Sequence, residues 1–249
     1  MPTALTSKKS TKDDATKAGL RFLAITDLYA LAKQILAQDL PPDLNHFTDS
    51  FHKPLCNWMQ ITPYEKNLYL LARDHLKTSL INVGRNVQRI LKNPEIRILI
   101  ASNKADNATA MLGGLKSHLM NPILLWLFPD ILWPDPARQS DKWTESAITV
   151  KRKRRGVKEA TVEAIGMEGE ITSKHYDHIT FDDLVGEGNY ESPEMVEKAV
   201  NRARLYGSLV NRHGMVIGLG TRWAINDPGG YVEKINKQAD ESFRPRPWT

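Results

Sequence analysis

Cysteine is nearly absent from this sequence of 249 residues, and a zinc-binding spacing and a long apolar run are absent altogether. The single cysteine, Cys56, excludes an intramolecular disulfide framework and suits a reducing cytoplasm. That cysteine and seven scattered histidines do not provide the ligand spacing of a zinc site. The longest apolar candidate, residues 122–133, is shorter than the about 18 residues that a membrane span needs. No membrane association is therefore expected.

The N-terminal residues also lack the apolar middle of a signal peptide, and residues 1–15 are polar throughout most of their length. We predict a disordered tail there. Hydrophobic residues make up 41% of the whole sequence, which is enough to bury a core. We predict a helical segment over residues 16–60, followed by one α/β domain over residues 61–249.

Apolar periodicity predicts strands that alternate with helices along the chain. A long amphipathic helix over residues 16–40 should end at Pro41, and a second helical piece over 44–59 should be interrupted at Pro54. The predicted strands lie at residues 67–72, 95–102, 175–185 and 214–223, and the predicted helices at 77–92, 106–120 and 193–210. This alternation indicates a three-layer fold with a mostly parallel central sheet flanked by helices.

Basic residues are concentrated in one segment of a chain with a net charge of +5 and a pI near 9.2. Residues 146–167 alternate in polarity, which predicts a β-ribbon. Its turn would carry the cations Lys151, Arg152, Lys153, Arg154 and Arg155. A solvated basic hairpin and a nucleic-acid contact both explain such a cluster.

A lysine followed by two hydroxyls, Lys77, Thr78 and Ser79, stands at the start of the helix that follows the first strand. Helix N-terminal N–H groups favour phosphates, a lysine offsets their charge, and a hydroxyl can ligate Mg²⁺. The usual phosphate-binding loop has glycine at its start and just before the lysine, but this sequence has Leu71 and Leu76 there. By itself the stretch fits either a degenerate nucleotide site or an ordinary strand-to-helix turn.

Two further strand ends carry chemistry. Asp182 and Asp183 end an apolar strand, where the first can hold Mg²⁺ and the second can polarise an attacking water. An acidic loop that caps a helix is the alternative, and Glu187 is a competing catalytic carboxylate. A later strand ends in Gly220, Thr221 and Arg222, which can place a hydroxyl or a guanidinium beside a phosphate. Because carboxyl ends of parallel strands share one edge, we expect these motifs to meet.

Taken together, the three motifs resemble those of the large subunit of the phage terminase, the ATPase motor that packages double-stranded DNA into viral capsids. The stretch "ARDHLKTS" resembles that family's phosphate loop, and "DHITFDDLV" resembles its acidic motif. The stretch "GTRW", which Asp227 follows closely, resembles its coupling motif. The stretches "TVEAIGMEGEITSKHYD" and "HFTDSFHKPLCNWM" are also similar to terminase sequence. The resemblance covers roughly residues 40–231.

This resemblance implies an ASCE-type P-loop NTPase fold that uses ATP and Mg²⁺. It implies that Lys77 and Arg73 act at the phosphates, that Thr78 and Asp182 hold the metal, and that Asp183 is the catalytic carboxylate. Gly220, Thr221 and Arg222 would couple the site to movement. The nucleotide-binding loop would comprise Arg73, Asp74, His75, Leu76, Lys77, Thr78 and Ser79. Gln60, just ahead of the phosphate strand, is a candidate reader of the adenine.

The sequence departs from the family at two points. Many relatives carry glutamate where Asp183 stands, so the attacking water must lie closer here or Glu187 must help. Relatives often have an arginine, about ten residues ahead of the acidic pair, that reaches into a neighbouring subunit's site. This region has Lys174 and no arginine. Lys174 and the arginines of the basic segment are the remaining candidates for that cation.

The resemblance also implies partners: double-stranded DNA, a portal protein and the terminase small subunit. It implies a homo-oligomeric ring when assembled, a monomer in isolation, and a location in the cytoplasm of the infected host cell. The family's nuclease domain would begin about where this sequence ends, so DNA cutting is not expected. A helicase-like nucleic-acid translocase and a non-catalytic DNA-binding assembly module are the two alternative functions.

Overall fold

The computed structural model describes residues 4–37, 47–61, 65–72, 75–154, 156–169, 171, 173–183 and 192–220. Within these residues, one sheet of six strands has the spatial order β1-β6-β5-β2-β4-β3. The strands are β1 (Lys66–Leu70), β2 (Ile98–Ser102), β3 (Ala147–Ile148), β4 (Val162–Gly166), β5 (Tyr176–Asp182) and β6 (Val210–Gly220).

The sheet is parallel except at one edge. The pairs β1–β6, β6–β5, β5–β2 and β2–β4 are parallel, and only β3 runs antiparallel, against β4. β6 lies between β1 and β5 in the sheet, although it comes last of the six strands in the sequence. The predicted α/β class with a mostly parallel sheet is confirmed.

Helices cover both faces of this sheet. They are α1 (Ala4–Thr26), α2 (Leu28–Ala30), α3 (His52–Ile61), α4 (Arg85–Lys92), α5 (Ala105–Leu119), α6 (Pro122–Leu127), α7 (Pro136–Gln139) and α8 (Pro193–Ser208). Two π-helical segments, π1 (Leu31–Leu36) and π2 (Thr78–Gly84), continue directly from α2 and into α4. No helix in the described ranges is long and apolar enough to cross a membrane.

Alternation of side chains along each strand explains the three layers. Ile98 and Ile100 of β2 pack into a core shared with α1, α4, α5 and α6. Leu99 and Ala101, the residues that alternate with them, pack on the opposite face, where α8 contributes Ala199. Successive residues of a strand point to opposite faces, so a strand that is apolar at every position is buried on both.

The N-terminal helices differ from their predicted bounds. Helix α1 begins at Ala4, within residues 1–15, for which a disordered tail was predicted. No proline follows Ala4 within α1, and the first glycine is Gly19, so helical conformation can extend this far. The single helix predicted to continue to residue 40 instead breaks at Asp27, whose side chain caps α2 by accepting from Ala30 N at 2.9 Å.

The sequence had suggested that Pro54 interrupts a helix, but this proline lies within the first turn of α3. The first N–H groups of a helix have no intrahelical acceptor, so a proline there sacrifices no hydrogen bond. The predicted second helical piece is therefore one helix that begins at His52.

The predicted β-ribbon over residues 146–167 is reduced to two residue pairs, Ala147 with Glu163 and Ile148 with Val162. Beyond them the chain forms a loop, because its polar groups bond elsewhere. Arg152 donates to Ile96 O at 2.9 Å and to Glu159 O at 2.8 Å. These bonds, rather than a ladder between strands, hold the basic segment against the sheet.

Candidate functional site

Two motifs that are remote in sequence meet at the carboxyl edge of the sheet. Thr78, the first residue of π2, donates from Oγ1 to Asp182 Oδ2 at 2.7 Å. Next to them, Lys77 Nζ lies 3.8 Å from Asp183 Oδ2. The structure therefore brings the lysine, the hydroxyl and the two carboxylates together, as the sequence had led us to expect. The chemical roles assigned to them stay predictions.

Asp182 occupies an unfavourable position for a lone carboxylate. It is 5% exposed, and its burial raises the pKa of the carboxyl group, an effect that the hydrogen bond from Thr78 opposes. Its Oδ1 atom is buried and has no hydrogen-bond partner among the described residues. Buried charged groups are normally paired or coordinated to a cation. Oδ1 is thus an oxygen atom in need of a cationic or donor partner.

Sequence reasoning missed two polar residues around this carboxylate. Asn82 donates from Nδ2 to Asp182 Oδ2 at 3.0 Å. Ser102, at the end of the neighbouring strand β2, donates from Oγ to the Asp182 carbonyl oxygen at 3.1 Å. The signal for Asn82 was present, because a residue four positions after Thr78 shares its helix face. Nothing in the sequence indicated which strand would place a hydroxyl beside Asp182.

The loop backbone adopts the conformation that glycine usually supplies. Leu76, directly before Lys77, has φ of 51°, and Asp183 has φ of 42°. These values lie in the left-handed region, which leucine rarely adopts. The strained leucine occupies the position where the usual phosphate-binding loop has glycine. Backbone strain therefore flanks the site on both sides.

The other predicted loop residues are placed as follows. Ser79 is exposed, and the exposed His75 contacts Phe51 edge-on with ring centroids 5.2 Å apart. Gly220 ends β6 beside the loop and accepts from Leu71 N at 3.2 Å. The predicted or competing site residues Arg73, Asp74, Glu187, Thr221, Arg222 and Asp227 lie outside the described residues.

Gln60 makes hydrogen bonds within the fold that do not favour its predicted role as a reader of adenine. Its Oε1 accepts from Leu28 N at 2.8 Å, and its Nε2 donates to Thr26 O at 2.6 Å. Both ends of the amide thus bridge the break between α1 and α2. A glutamine held in this way satisfies backbone groups that the helix ends leave unpaired.

The basic segment divides into inward-facing and outward-facing cations. Lys151 donates to Pro129 O at 2.7 Å and lies 5.0 Å from the centroid of Trp133. Arg152 is turned onto backbone carbonyls, and its burial lowers the pKa of the guanidinium. Both residues bond within the fold, which does not favour their predicted role as contacts to DNA or to a neighbouring subunit. Lys153 and Arg154 are exposed, and Arg155 lies outside the described part of the chain.

Lys174 is held by an internal ion pair. Its Nζ lies 2.5 Å from Oε2 of Glu163, a residue that is 8% exposed and also accepts from Tyr176 OH at 2.8 Å. Lys174 precedes β5, whereas Asp182 ends it, so the two lie at opposite edges of the sheet. This pairing does not favour a reach of Lys174 into the site of a neighbouring subunit.

The donor set at the carboxyl edge suits Mg²⁺ bound together with a phosphate ligand. The described residues contain no group of three or more His, Cys, Asp or Glu that could hold a metal by themselves. Mg²⁺ usually binds through one or two protein oxygens and completes its coordination with waters and substrate phosphates. Asp182 Oδ1 and the Thr78 hydroxyl are oxygens of that kind, and a lysine lies beside them.

Comparison with known proteins shows a likeness in structure but none in sequence. No protein-family model and no curated protein matches the sequence. The chain is similar to the crystal structure of the HK97 bacteriophage large terminase, with a TM-score of 0.57 and 15% sequence identity. The match covers 87% of this chain and 42% of that one, so the chain spans less than half the length of that terminase.

At this level of identity the likeness concerns the fold. The predicted terminase-like fold, an α/β fold with a mostly parallel central sheet flanked by helices, is confirmed.

Proposed function

We propose that this chain is the ATPase motor domain of a phage terminase large subunit, which hydrolyses ATP with Mg²⁺ to drive double-stranded DNA into a procapsid. One observation carries the proposal. The Thr78 hydroxyl and the Asp182 carboxylate are 2.7 Å apart, beside Lys77 and Asp183, at the carboxyl edge of the sheet. The similarity in fold to a bacteriophage large terminase supports the choice of family.

Lys77 would bind the phosphates. Its side chain is 12% exposed, so its ammonium group is partly removed from water, and electrostatic interactions are stronger there. It lies one residue before π2, where backbone N–H groups are not yet paired within the helix. Phosphoryl transfer depends largely on positioning and charge neutralisation, and a lysine at this point provides both.

Thr78 and Asp182 would hold the metal ion. Thr78 Oγ1 offers a lone pair while it donates its hydrogen to Asp182 Oδ2, and Asp182 Oδ1 has no other partner within the described residues. When bound, Mg²⁺ neutralises negative charge on the phosphates and fixes their orientation. A buried carboxylate can hold a cation firmly because little water competes for it.

Asp183 would orient the water that attacks the γ-phosphate. Its side chain is 38% exposed, so solvent can reach it, whereas Asp182 is nearly enclosed. The hydrogen bond from Asp183 N to Leu219 O, 3.1 Å long, ties this residue to β6 although β5 has ended. Two adjacent aspartates thereby have different environments, which suits one for a metal and the other for water.

The wider assembly belongs to the same proposal. The chain would work with a portal protein and a terminase small subunit as a homo-oligomeric ring in the infected host cell. The exposed Lys153 and Arg154 would face the DNA backbone or a neighbouring subunit. A helicase-like translocase would share the nucleotide site but unwind duplexes without procapsid and portal, and a non-catalytic module would bind DNA but not nucleotide.

Turnover in the assembled packaging complex tests the proposal. Lys77→Ala should lower ATP hydrolysis by at least about a hundredfold, because a preorganised charge at the phosphates is lost. Lys92→Ala is the control, since Lys92 is exposed at the other end of the same continuous helix. It should hydrolyse ATP as the wild type does. Near wild-type turnover by Lys77→Ala would rule out the assigned loop.

A further inference from the structure

Asn82 links the helix that follows the loop to the end of β5. It is fully buried, and its Nδ2 donates to Asp182 Oδ2 at 3.0 Å and to Met111 Sδ at 3.0 Å. Thr78 and Asn82 lie on the same face of π2, one turn apart. Each of the two residues therefore donates one hydrogen bond to the same carboxylate oxygen, Asp182 Oδ2.

One atom of this asparagine is unfavourable for stability. Its Oδ1 is buried and has no hydrogen-bond partner within the described ranges. A buried polar atom without a partner costs free energy, whereas leucine, with the same number of side-chain heavy atoms, has no such atom. The unpaired oxygen is thus a cost that the hydrogen bond to the buried Asp182 carboxylate has to offset. Features that reduce stability concentrate at functional sites.

The two donors to Asp182 differ in what else they must do. The Thr78 hydroxyl is assigned to Mg²⁺ as well as to Asp182, so its orientation has to satisfy both. The Asn82 amide contacts Asp182 and the weak acceptor Met111 Sδ. Asn82 is therefore the donor that can hold Asp182 Oδ2 continuously. With Oδ2 held, the carboxylate can rotate little, and Oδ1 stays the oxygen that accepts no hydrogen bond in the described structure.

We propose that Asn82 is a positioning residue, which fixes the Asp182 carboxylate so that Oδ1 is the oxygen offered to Mg²⁺. This inference rests on the proposed nucleotide-binding function. Partners of metal ligands orient those ligands, and their loss commonly lowers metal affinity ten- to a hundredfold. Asn82 acts through Asp182 and does not itself touch the metal or the nucleotide.

Asn86 provides a matched control one helical turn further on. It is also fully buried, its Oδ1 also has no partner among the described residues, and its Nδ2 donates to Asn82 O at 2.8 Å. Its side-chain amide therefore bonds the helix backbone rather than the carboxylate. The two asparagines share burial and an unpaired oxygen, and differ in the bond to Asp182.

The experiment measures the Mg²⁺ concentration that half-saturates binding of a fluorescent ATP analogue to the whole chain. Asn82→Leu should raise this concentration at least about tenfold, and should leave binding in EDTA unchanged. Its melting temperature shows whether the variant is folded, and only folded variants enter the comparison. Asn86→Leu should leave the Mg²⁺ dependence unchanged. Asn82→Ala and Asn86→Ala give the same comparison if the larger leucine prevents folding.

Two results overturn the inference in different ways. If folded Asn82 variants require no more Mg²⁺ than the matching Asn86 variants, Asn82 does not position the metal ligand, although the nucleotide site stands. If the wild type shows no saturable binding of the analogue at any Mg²⁺ concentration, the proposed function fails, and the role of Asn82 fails with it. The wild-type titration separates these outcomes.

Discussion

Leu76 stands where a phosphate-binding loop usually has glycine, and its backbone adopts a conformation that favours glycine. Its φ of 51° lies in the left-handed region, where a side chain crowds the following carbonyl. Leu76 O accepts from Leu80 N at 2.8 Å, so the residue also begins the hydrogen bonding of the helix. The loop therefore keeps a glycine-like backbone without glycine, and it does so at a cost in free energy.

That cost predicts an inverted order of stability at position 76. Leu76→Gly should be more stable than Leu76→Ala by about 1 kcal/mol. Both variants remove the leucine side chain beyond Cβ, but alanine keeps the crowded Cβ and glycine does not. At Glu197, an exposed position inside α8, glycine should be less stable than alanine by a similar amount. Urea unfolding of the four variants measures both differences. The same order at the two positions would show that Leu76 carries no strain.

His178 is a second residue whose environment has a measurable consequence. It is 1% exposed in β5, beside Arg89, and burial followed by the charges of Arg89 and Arg85 holds its pKa well below the usual value. In the unfolded chain a histidine has a pKa of about 6.5 and takes up a proton as the pH falls below that value. Folded His178 stays neutral, so the unfolded state binds more protons and acid reduces stability.

His178→Gln should therefore weaken the dependence of stability on pH. The free energy of unfolding of the wild type should fall between pH 7 and pH 5, and the fall should be smaller in the variant. His213→Gln is the control, since the His213 side chain is 78% exposed. Denaturant titrations at the two pH values provide the comparison. An equal fall in wild type and His178→Gln would mean that His178 is protonated in the folded protein.

At the scale of single residues, sequence reasoning succeeded where motif and topology agree. Lys77, Thr78, Asp182 and Asp183 were expected to meet because each lies at the carboxyl end of a parallel strand or just beyond one. The hydrogen bonds of Gln60 were not predicted because the break at Asp27 was not foreseen, and that break creates the backbone groups that Gln60 satisfies. The hydrogen-bond partners of a side-chain amide can be predicted only when the surrounding helix ends are known.

At the scale of elements, the basic loop has its own architecture. Arg152 donates to Pro94 O, Ile96 O and Glu159 O, and Glu95 Oε1 accepts from Lys153 N at 2.6 Å. The loop precedes β4, so it lies at the edge of the sheet opposite to Asp182. The described cations of this loop are thus remote from the candidate nucleotide site of the same chain.

Substitutions in this loop can distinguish the proposed contact of Lys153 and Arg154 with DNA from the contribution of Arg152 to stability. The double variant Lys153→Gln with Arg154→Gln should lower the slope of log affinity for duplex DNA against log salt by about 1.8, with stability changed by less than about 0.5 kcal/mol. Arg152→Gln should instead reduce stability by about 1–3 kcal/mol, because carbonyls lose their donors. Binding at several salt concentrations and thermal unfolding measure these effects. A slope unchanged in the double variant would assign the two cations to solvent or to a subunit contact.

Periodicity predicted most elements, and local hydrogen bonding explains the exceptions. The strand ending at Asp182 and the helix beginning at Pro193 were predicted because their apolar spacing is regular. The π-helical form of residues 78–84 was not predicted, because a change in helix width has little effect on apolar spacing. The predicted β-ribbon was longer than the observed one, because alternation of polarity does not reveal that Arg152 turns inward.

At the scale of the whole molecule, the order of strands decides which chain segments meet. With β6 between β1 and β5, the loop before π2 and the end of β5 approach across one intervening strand. Leu71 N donates to Gly220 O, so the end of β6 borders the same site. Sequence alone predicted the mostly parallel sheet, whereas the pairing of each strand depends on contacts between distant segments.

Binding of nucleotide to the folded chain tests the central claim most directly. The chain should be titrated with a labelled ATP analogue, with Mg²⁺ and with EDTA, beside Lys77→Ala and the control Lys92→Ala. The wild type and Lys92→Ala should show saturable binding that Mg²⁺ strengthens, and Lys77→Ala should bind at least about tenfold more weakly, a loss of about 1.4 kcal/mol. Absence of saturable binding in the wild type, or equal affinity in Lys77→Ala, would contradict the assignment of a nucleotide site to this edge of the sheet.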